Sequence, residues 1–353
     1  LSNDFRFDSN IHGIQVNNVK QENGTNAAIA SLRLALKNYF STYQFSERIT
    51  IQDNIEAATE RHLASLLSYQ EKYLQTIFHF HHFIELLIKD ELRLINPILA
   101  VKLDTDNGRN IMNLIKNKTN SGSIGNRTVE FMVALKRLYS LADSECKIGE
   151  IIKKHKRGLT DLNTLRNRAW HRGTFVLLYR ELDRFIGTNI LPCIIECMEY
   201  SIYKGSERFW KYKSPKIDID PIKKIIEATK KPEINYSEVA FYKAIGLASY
   251  DIPLEFGTIG KRYMQPSEKK AKALLGSGSD ADEVLECFVC GKQSLVSYRE
   301  DDWDHDEQGQ PINGWWRIYE VECQECHLRL DRHIGNPKKY GVEIPDLWLG
   351  EEY

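Results

Sequence analysis

The chain has 353 residues, is 42% hydrophobic and 27% charged, and carries a formal net charge of −1. That composition is ordinary for a globular chain of two domains, or of one large domain and one small one. It excludes a uniformly basic nucleic-acid coat. No apolar run in it approaches the roughly 20 residues that a membrane-spanning helix needs, so no membrane association is expected.

Residues 1–25 are polar and rich in Asn, Gln and Gly, and read as an irregular or short β lead-in. From Asn26 to about Tyr200 apolar residues recur at helical spacing. The pattern predicts helices over Ala27–Tyr39 and Ile55–Arg93, the second ended by Pro97 and marked by Leu74, Ile77, Phe78, His81, Ile84, Glu85 and Ile88. A short helix over Asn107–Lys118 and a Gly-, Ser-, Thr- and Asn-rich loop over Asn117–Arg127 come next. Further helices are expected at Thr128–Tyr139, Leu159–Trp170, Phe175–Phe185 and Ile190–Tyr203. Residues 205–225, with Pro215, Pro221 and many lysines, read as a linker. Short helices at Ile222–Lys230, Ser237–Leu247 and Ser267–Leu275 lead to a flexible joint, Gly276–Ser279. Beyond it Ser294–Arg299 and Trp315–Val321 read as strands, with an acidic loop, Asp301–Gly314, between them.

Cys287-Phe-Val-Cys290 and Cys323-Gln-Glu-Cys326 have the spacing of a four-thiolate zinc site. Each turn aims two sulfurs at one tetrahedral ion, and two turns close its shell. No position is left for water, so the expected Zn²⁺ is structural and the expected module is a zinc ribbon. His305, His327 and His333 are alternative ligands that four thiolates make unnecessary. Cys146, Cys193 and Cys197 have no framework spacing and read as buried free thiols. Free thiols beside a thiolate site fit a reducing cytoplasm. Trp303, Trp315 and Trp316 suit either base stacking or the cover of a minimal core. Core or interdomain packing is favoured for two of the three, because the acidic Asp301–Glu307 stretch repels phosphate.

The stretch Leu165-Arg-Asn-Arg-Ala-Trp-His-Arg-Gly173 gathers catalytic residue types on one helix. Asn167 and His171 are four apart and share a face, so the amide can fix the imidazole tautomer. Arg166 lies about 140° round from His171 on an ideal helix, within reach of a long side chain. Gly173 is a natural stop that leaves His171 at an exposed helix end. By pattern alone these residues also describe a solvated helix face.

Arg166-Asn167-x-x-x-His171-x-Gly173 resembles the signature of HEPN domains, an Arg and a His separated by four to six residues, the first of them polar. Phe80-His-His-Phe-Ile-Glu-Leu-Leu-Ile-Lys89 resembles the early helix of these bundles, which carries Glu and then Lys. The resemblance covers roughly residues 50–205. The chain departs from the family pattern at Trp170, where a small or aliphatic residue is usual, and in its flanking Arg168 and Arg172. The implied architecture is mainly α. It has a lead-in and first helix (1–50), a HEPN-like helical bundle (51–205), a helical extension and linker (206–279), and a small β zinc ribbon (280–353).

The resemblance implies a metal-independent endoribonuclease that pairs as a homodimer, so that two motifs meet. RNA supplies its own nucleophile, the 2′-OH. His171 would move a proton, Arg166 would hold charge on the phosphorane, and Asn167 would orient the histidine. Arg168 and Arg172 would hold flanking phosphates. Lys153, Lys154, Lys156 and Arg157, a basic run on the same helix, read as solvated surface or as further backbone contacts. Such proteins act as toxins or antiviral effectors, with an antitoxin or defence-system partner. The rival expectation is a non-catalytic HEPN scaffold whose zinc ribbon binds nucleic acid or a protein. A nucleotidyltransferase partner or antitoxin-linked subunit is a third. His79 and His82, three apart, make a metal pair or a packed helix face, and His81 and His82 are candidates to line the cleft. Glu85 and Lys89 read as an intrahelical ion pair.

Overall fold

The computed structural model describes residues 26–45, 60–102, 112, 128–142, 146–172, 175–251, 267–305, 308, 310–343 and 346–352. They are mostly helical, with a small antiparallel sheet towards the C-terminus. The lead-in at 1–25, the loop at Asn117–Arg127 and, Met112 apart, the helix at Asn107–Lys118 lie outside the described residues.

The helices are α1 Ala27–Ser41, α2 Glu60–Ile95, α3 Phe131–Ser140, α4 Lys147–Arg172, α5 Tyr179–Phe185, α6 Leu191–Tyr200, α7 Pro221–Thr229, α8 Tyr236–Asp251 and α9 Ser267–Leu275. Their ends follow local chemistry. Asn26 accepts from the amides of Ala28 and Ile29 at the start of α1. Asp220 accepts from the Lys223 amide, and Pro221 takes the first position of α7, where a missing N–H costs nothing. Asn96 closes off α2 by capping the short turn that Pro97 opens. Between α5 and α6 the chain makes one π turn, Ile186–Ile190, so the helical run continues with an extra residue in it.

Two compact units result, each discontinuous in sequence. The first takes in Leu1–Ala35, Ile77–Arg166 and Cys193–Lys211. Its core is the apolar stripe of α2 (Phe80, Phe83, Leu87) with Leu32, Leu135, Ile152, Leu159 and Ile194, all buried. The second takes in Leu36–Thr76, Asn167–Pro192 and Tyr212–Tyr353. Its helical core centres on α8, buried continuously from Val239 to Ser249.

The sheet also belongs to the second unit. Strands β1 Ala281–Glu286, β2 Gln293–His305, β3 Pro311–Cys323 and β4 Arg329–Asp331 lie in that order, and β5 Gly350–Glu352 pairs with β3. All pairings are antiparallel. The stretch expected as an acidic loop, Asp301–Gly314, is mostly strand: Asp302 pairs with Trp315 and Trp303 with Gly314. Aspartate is a poor strand former, but cross-strand pairs decide the outcome. Arg317 bonds Glu300 across the hairpin, and the guanidinium of Arg299 stacks 4.7 Å from the Trp316 ring.

One helix boundary is corrected, and two connecting stretches are placed. The helix predicted at Leu159–Trp170 runs from Lys147 to Arg172, because the basic run Lys153–Arg157 forms part of its outer face. The stretch expected as a linker at 205–225 is held down. Ser214 donates its hydroxyl to the Val289 carbonyl at 2.7 Å and accepts from the amides of Lys216 and Ile217. The joint Gly276–Ser279 is a capped turn in which Ser277 and Ser279 both donate to the Leu274 carbonyl.

Candidate functional site

The thiolate centre is built from two matching turns. In the first, Gly291 N–H donates to the Cys287 carbonyl, Cys287 N–H to the Lys292 carbonyl, and Val289 N–H to the Cys287 sulfur. In the second, His327 N–H donates to the Cys323 carbonyl, Cys323 N–H to the Leu328 carbonyl, and Glu325 N–H to the Cys323 sulfur. Each turn ends on a left-handed residue, Gly291 at φ 74° and His327 at φ 55°. His327, a spare ligand by sequence, therefore serves the backbone; its side chain is exposed.

The sulfurs of Cys287 and Cys326 are 3.7 Å apart, those of Cys290 and Cys323 3.6 Å, and all four lie within 4.8 Å of one another. A tetrahedron with Zn–S bonds of about 2.3 Å has edges of about 3.8 Å, so the four cysteines fit a zinc ion. Without a cation, hydrogen bonding among the cysteines, reinforced by burial, pushes the Cys287 and Cys326 thiols up. A dication reverses that tendency and holds all four as thiolates. Among the described residues this is the one group of three or more His, Cys, Asp and Glu side chains able to hold a metal, and His79 and His82 gather no third ligand there. His82 instead shares a hydrogen bond of 2.7 Å with Ser31.

The motif residues occupy the last turns of α4. Arg166 and Asn167 are half-buried, and Ala169 is buried. Arg168 is exposed, with its guanidinium 5.2 Å from the Phe175 ring, and Trp170 is 65% exposed. His171 and Arg172 complete the helix; their side chains, and Gly173, fall outside the described residues.

The inner face of α4 meets a polar cluster from α2 in the first unit. His81 is 3% exposed, and its ring lies 4.3 Å from that of Phe131, tilted by 42°. Its Nε2 lies 3.1 Å from Asn163 Oδ1, one turn before Arg166 on α4. Its Nδ1 faces the Glu85 carboxylate at 3.7 Å. Glu85 accepts from Lys89 at 2.5 Å, and Lys89 also donates to Thr128 at 3.0 Å. Burial, together with the Arg166 and His82 charges, lowers the His81 pKa against the opposing pull of Asn163 and Glu85. Burial therefore favours the neutral imidazole, and of its two tautomers the one with the proton on Nε2 can donate to Asn163 Oδ1.

The basic run divides. Lys154 and His155 both reach Glu196, at 2.6 and 3.3 Å, and Lys156 lies 4.6 Å from the centre of the Tyr139 ring. Burial alone would raise the Glu196 carboxyl, but the hydrogen bonds from Lys154 and His155 win and hold it below the usual range. Lys153 and Arg157 are exposed on the outer face with Arg168. Cys193 and Cys197 are buried thiols one helical turn apart; Cys146 is half-buried and accepts from the Gly149 amide at the start of α4.

Sequence reasoning missed Asn163, whose only signal is its place three residues before Arg166. It also missed a buried ion pair in the second unit. Lys243 Nζ lies 2.7 Å from Asp183 Oδ1, both side chains fully buried, with the Tyr39 and Tyr179 rings 4.8 and 4.3 Å from the ammonium. A lone lysine amid the apolar Val239–Ala248 stretch was the available signal. No helix among the described residues is long and apolar enough to cross a membrane. Comparison with protein-family models, with curated proteins and with solved structures finds no match.

Proposed function

We propose that this chain is a metal-independent endoribonuclease with a HEPN-type helical body, in which the last turns of α4 carry the reacting groups. The observation that supports the reading best is the division of α4 into two faces. Arg166 sits towards the buried His81–Asn163 pair, while Lys153, Arg157 and Arg168 lie exposed. One helix thus offers a half-buried guanidinium and a separate cationic face for a polyanion.

In the reaction the RNA 2′-oxygen forms a bond to the adjacent phosphorus and the P–O5′ bond breaks. The 2′-OH proton leaves to a base, and a proton reaches the departing 5′-oxygen. His171 suits these transfers because histidine titrates near neutrality. Arg166 suits the phosphorane oxygens through its planar fork. Asn167 orients the histidine, and a homodimer brings two such motifs together. The products are a 2′,3′-cyclic phosphate and a 5′-OH. Zinc in the thiolate centre has a closed shell and takes no part.

The test is incubation of zinc-loaded protein with RNA while free Mg²⁺ is chelated. Wild type should cleave and leave cyclic phosphate ends, and Arg166→Ala and His171→Ala should each lose about 10²-fold or more. Equal cleavage by all three, or a strict requirement for Mg²⁺, refutes the mechanism. A second reading, a binding scaffold acting through the ribbon, has support in the outer half of the β2–β3 hairpin, where Trp303 and Ile312 are 45% and 61% exposed. RNA or protein binding without cleavage is its signature.

A further inference from the structure

The polar cluster behind Arg166 contains more than a helix–helix contact requires. A buried neutral imidazole has one donor and one acceptor to satisfy, and apolar residues would pack there at less expense in desolvation. Here His81 links α2 to Asn163 of α4 at 3.1 Å, while Glu85 stands 3.7 Å from its other nitrogen and is itself held by Lys89. Asn163 and Arg166 are neighbours on one helix face. The chain of groups runs from Thr128 and Lys89 through Glu85, His81 and Asn163 to Arg166, all within the first unit.

We propose that His81 is a positioning residue for Arg166: by donating to Asn163 it fixes the rotation of α4 at that turn and so the direction in which the guanidinium projects. This rests on the ribonuclease reading for its effect on catalysis, although the coupling itself does not. His81 is too buried to touch substrate, so it acts through Asn163.

The arrangement also depends on which protons His81 carries. The groups facing the ring are Glu85 and His82 on its own helix, Asn163 and Arg166 on α4, and the Phe131 ring on α3. Neutral His81 is compatible with the Arg166 charge. Protonated His81 repels Arg166 and competes with Lys89 for Glu85. Acid therefore disturbs Arg166 from behind, separately from any titration of His171.

Two measurements test this. The first is an NMR titration of the His81 ring in the intact protein and in Arg166→Ala. The expected result is a neutral Nε2–H tautomer at pH 7, protonation below the ordinary histidine value, and an upward move of that value in the variant. A charged ring at pH 7, or no change in Arg166→Ala, overturns the coupling. The second is kinetic. His81→Leu should lower kcat by about 10–100-fold with little change in KM, the size expected for a misplaced catalytic group. His81→Gln, which can still donate to Asn163 but does not titrate, should recover most of kcat and remove one ionisation from the acid limb of the pH profile. Unchanged kcat in His81→Leu, or a correctly folded His81→Gln no better than Leu, overturns positioning. If Arg166→Ala and His171→Ala also leave cleavage unchanged, it is the ribonuclease reading that fails, and the ring titration still decides the coupling.

Discussion

Replacing Lys243 with methionine removes the only cation from a stretch of α8 that is buried on every side from Val239 to Ser249. In the wild type its ammonium lies 2.7 Å from Asp183 Oδ1 and 3.2 Å from the Tyr179 hydroxyl, and Asp183 Oδ2 has no hydrogen-bond partner among the described residues. Burial lowers the Lys243 pKa, and the Asp183 charge opposes that shift. Without the lysine, the Asp183 carboxylate is left fully buried and uncompensated. Breaking a buried pair from one side costs about 3–5 kcal/mol. At about 2–4 °C per kcal/mol for a unit of this size, the melting temperature should fall by about 6–20 °C. Removing both charges, in Lys243→Met with Asp183→Leu, leaves nothing to desolvate, and stability should return close to wild type or exceed it. Urea and thermal unfolding of the two single variants and the double variant close the cycle. Additive losses, or a Lys243→Met loss below about 1 kcal/mol, would falsify the assignment of an uncompensated charge.

Zinc-replete protein should hold one zinc per chain by elemental analysis, and Cys326→Ser should lose it. Stripping the metal should unfold the sheet while most helical circular dichroism remains; protein that never binds zinc tightly contradicts the tetrahedral geometry. Gly291→Val should destabilise the ribbon by about 1–2 kcal/mol, since φ there is 74° and a Cβ would press on Lys216. His327→Gly should do the reverse by up to about 1 kcal/mol, and equal behaviour of the two positions would rule out a shared left-handed requirement. His81 has a lowered folded-state pKa, so its contribution to stability is present above the unfolded value of about 6.5 and is lost as pH falls through the lowered value. In that window the unfolded chain binds the proton first. His81→Gln should flatten the decline in unfolding free energy between pH 7 and 5; an unaltered slope would assign the acid sensitivity to other groups.

The helices were legible wherever an apolar stripe was regular. The Leu74-to-Ile88 spacing located α2, Pro97 located its end, and Ser267–Leu275 coincides with α9. The grouping of the four cysteines was legible, because each Cys-x-x-Cys turn is local and its spacing calls for a second such turn. The hairpin was not, since its acidic residues form strand only through partners on the opposite strand, such as Arg317 for Glu300. Nor was the polar cluster: His81 and Asn163 are 82 residues apart, and Lys243 and Asp183 are 60. A short periodic window sees each of these as an isolated polar residue on an apolar face. His171, on which the proposed chemistry turns, was legible only through its spacing from Arg166.

The wide turn at Ile186–Ile190 makes one residue of the Tyr179–Tyr200 run surplus to an ordinary helix. A single-codon deletion inside that turn would convert it to α-helix and leave both flanks with their buried faces unchanged. The same deletion just before Cys193 would rotate the residues that follow by about 100° about the helix axis and turn Cys193, Ile194 and Cys197 off their buried face. Gly187 narrows the choice, since its Cα lies so close to Thr229 that an added Cβ would meet that side chain at 2.5 Å. Only a deletion that still leaves glycine opposite Thr229 should survive, which makes this short segment the natural place for length variation in an otherwise length-intolerant helix.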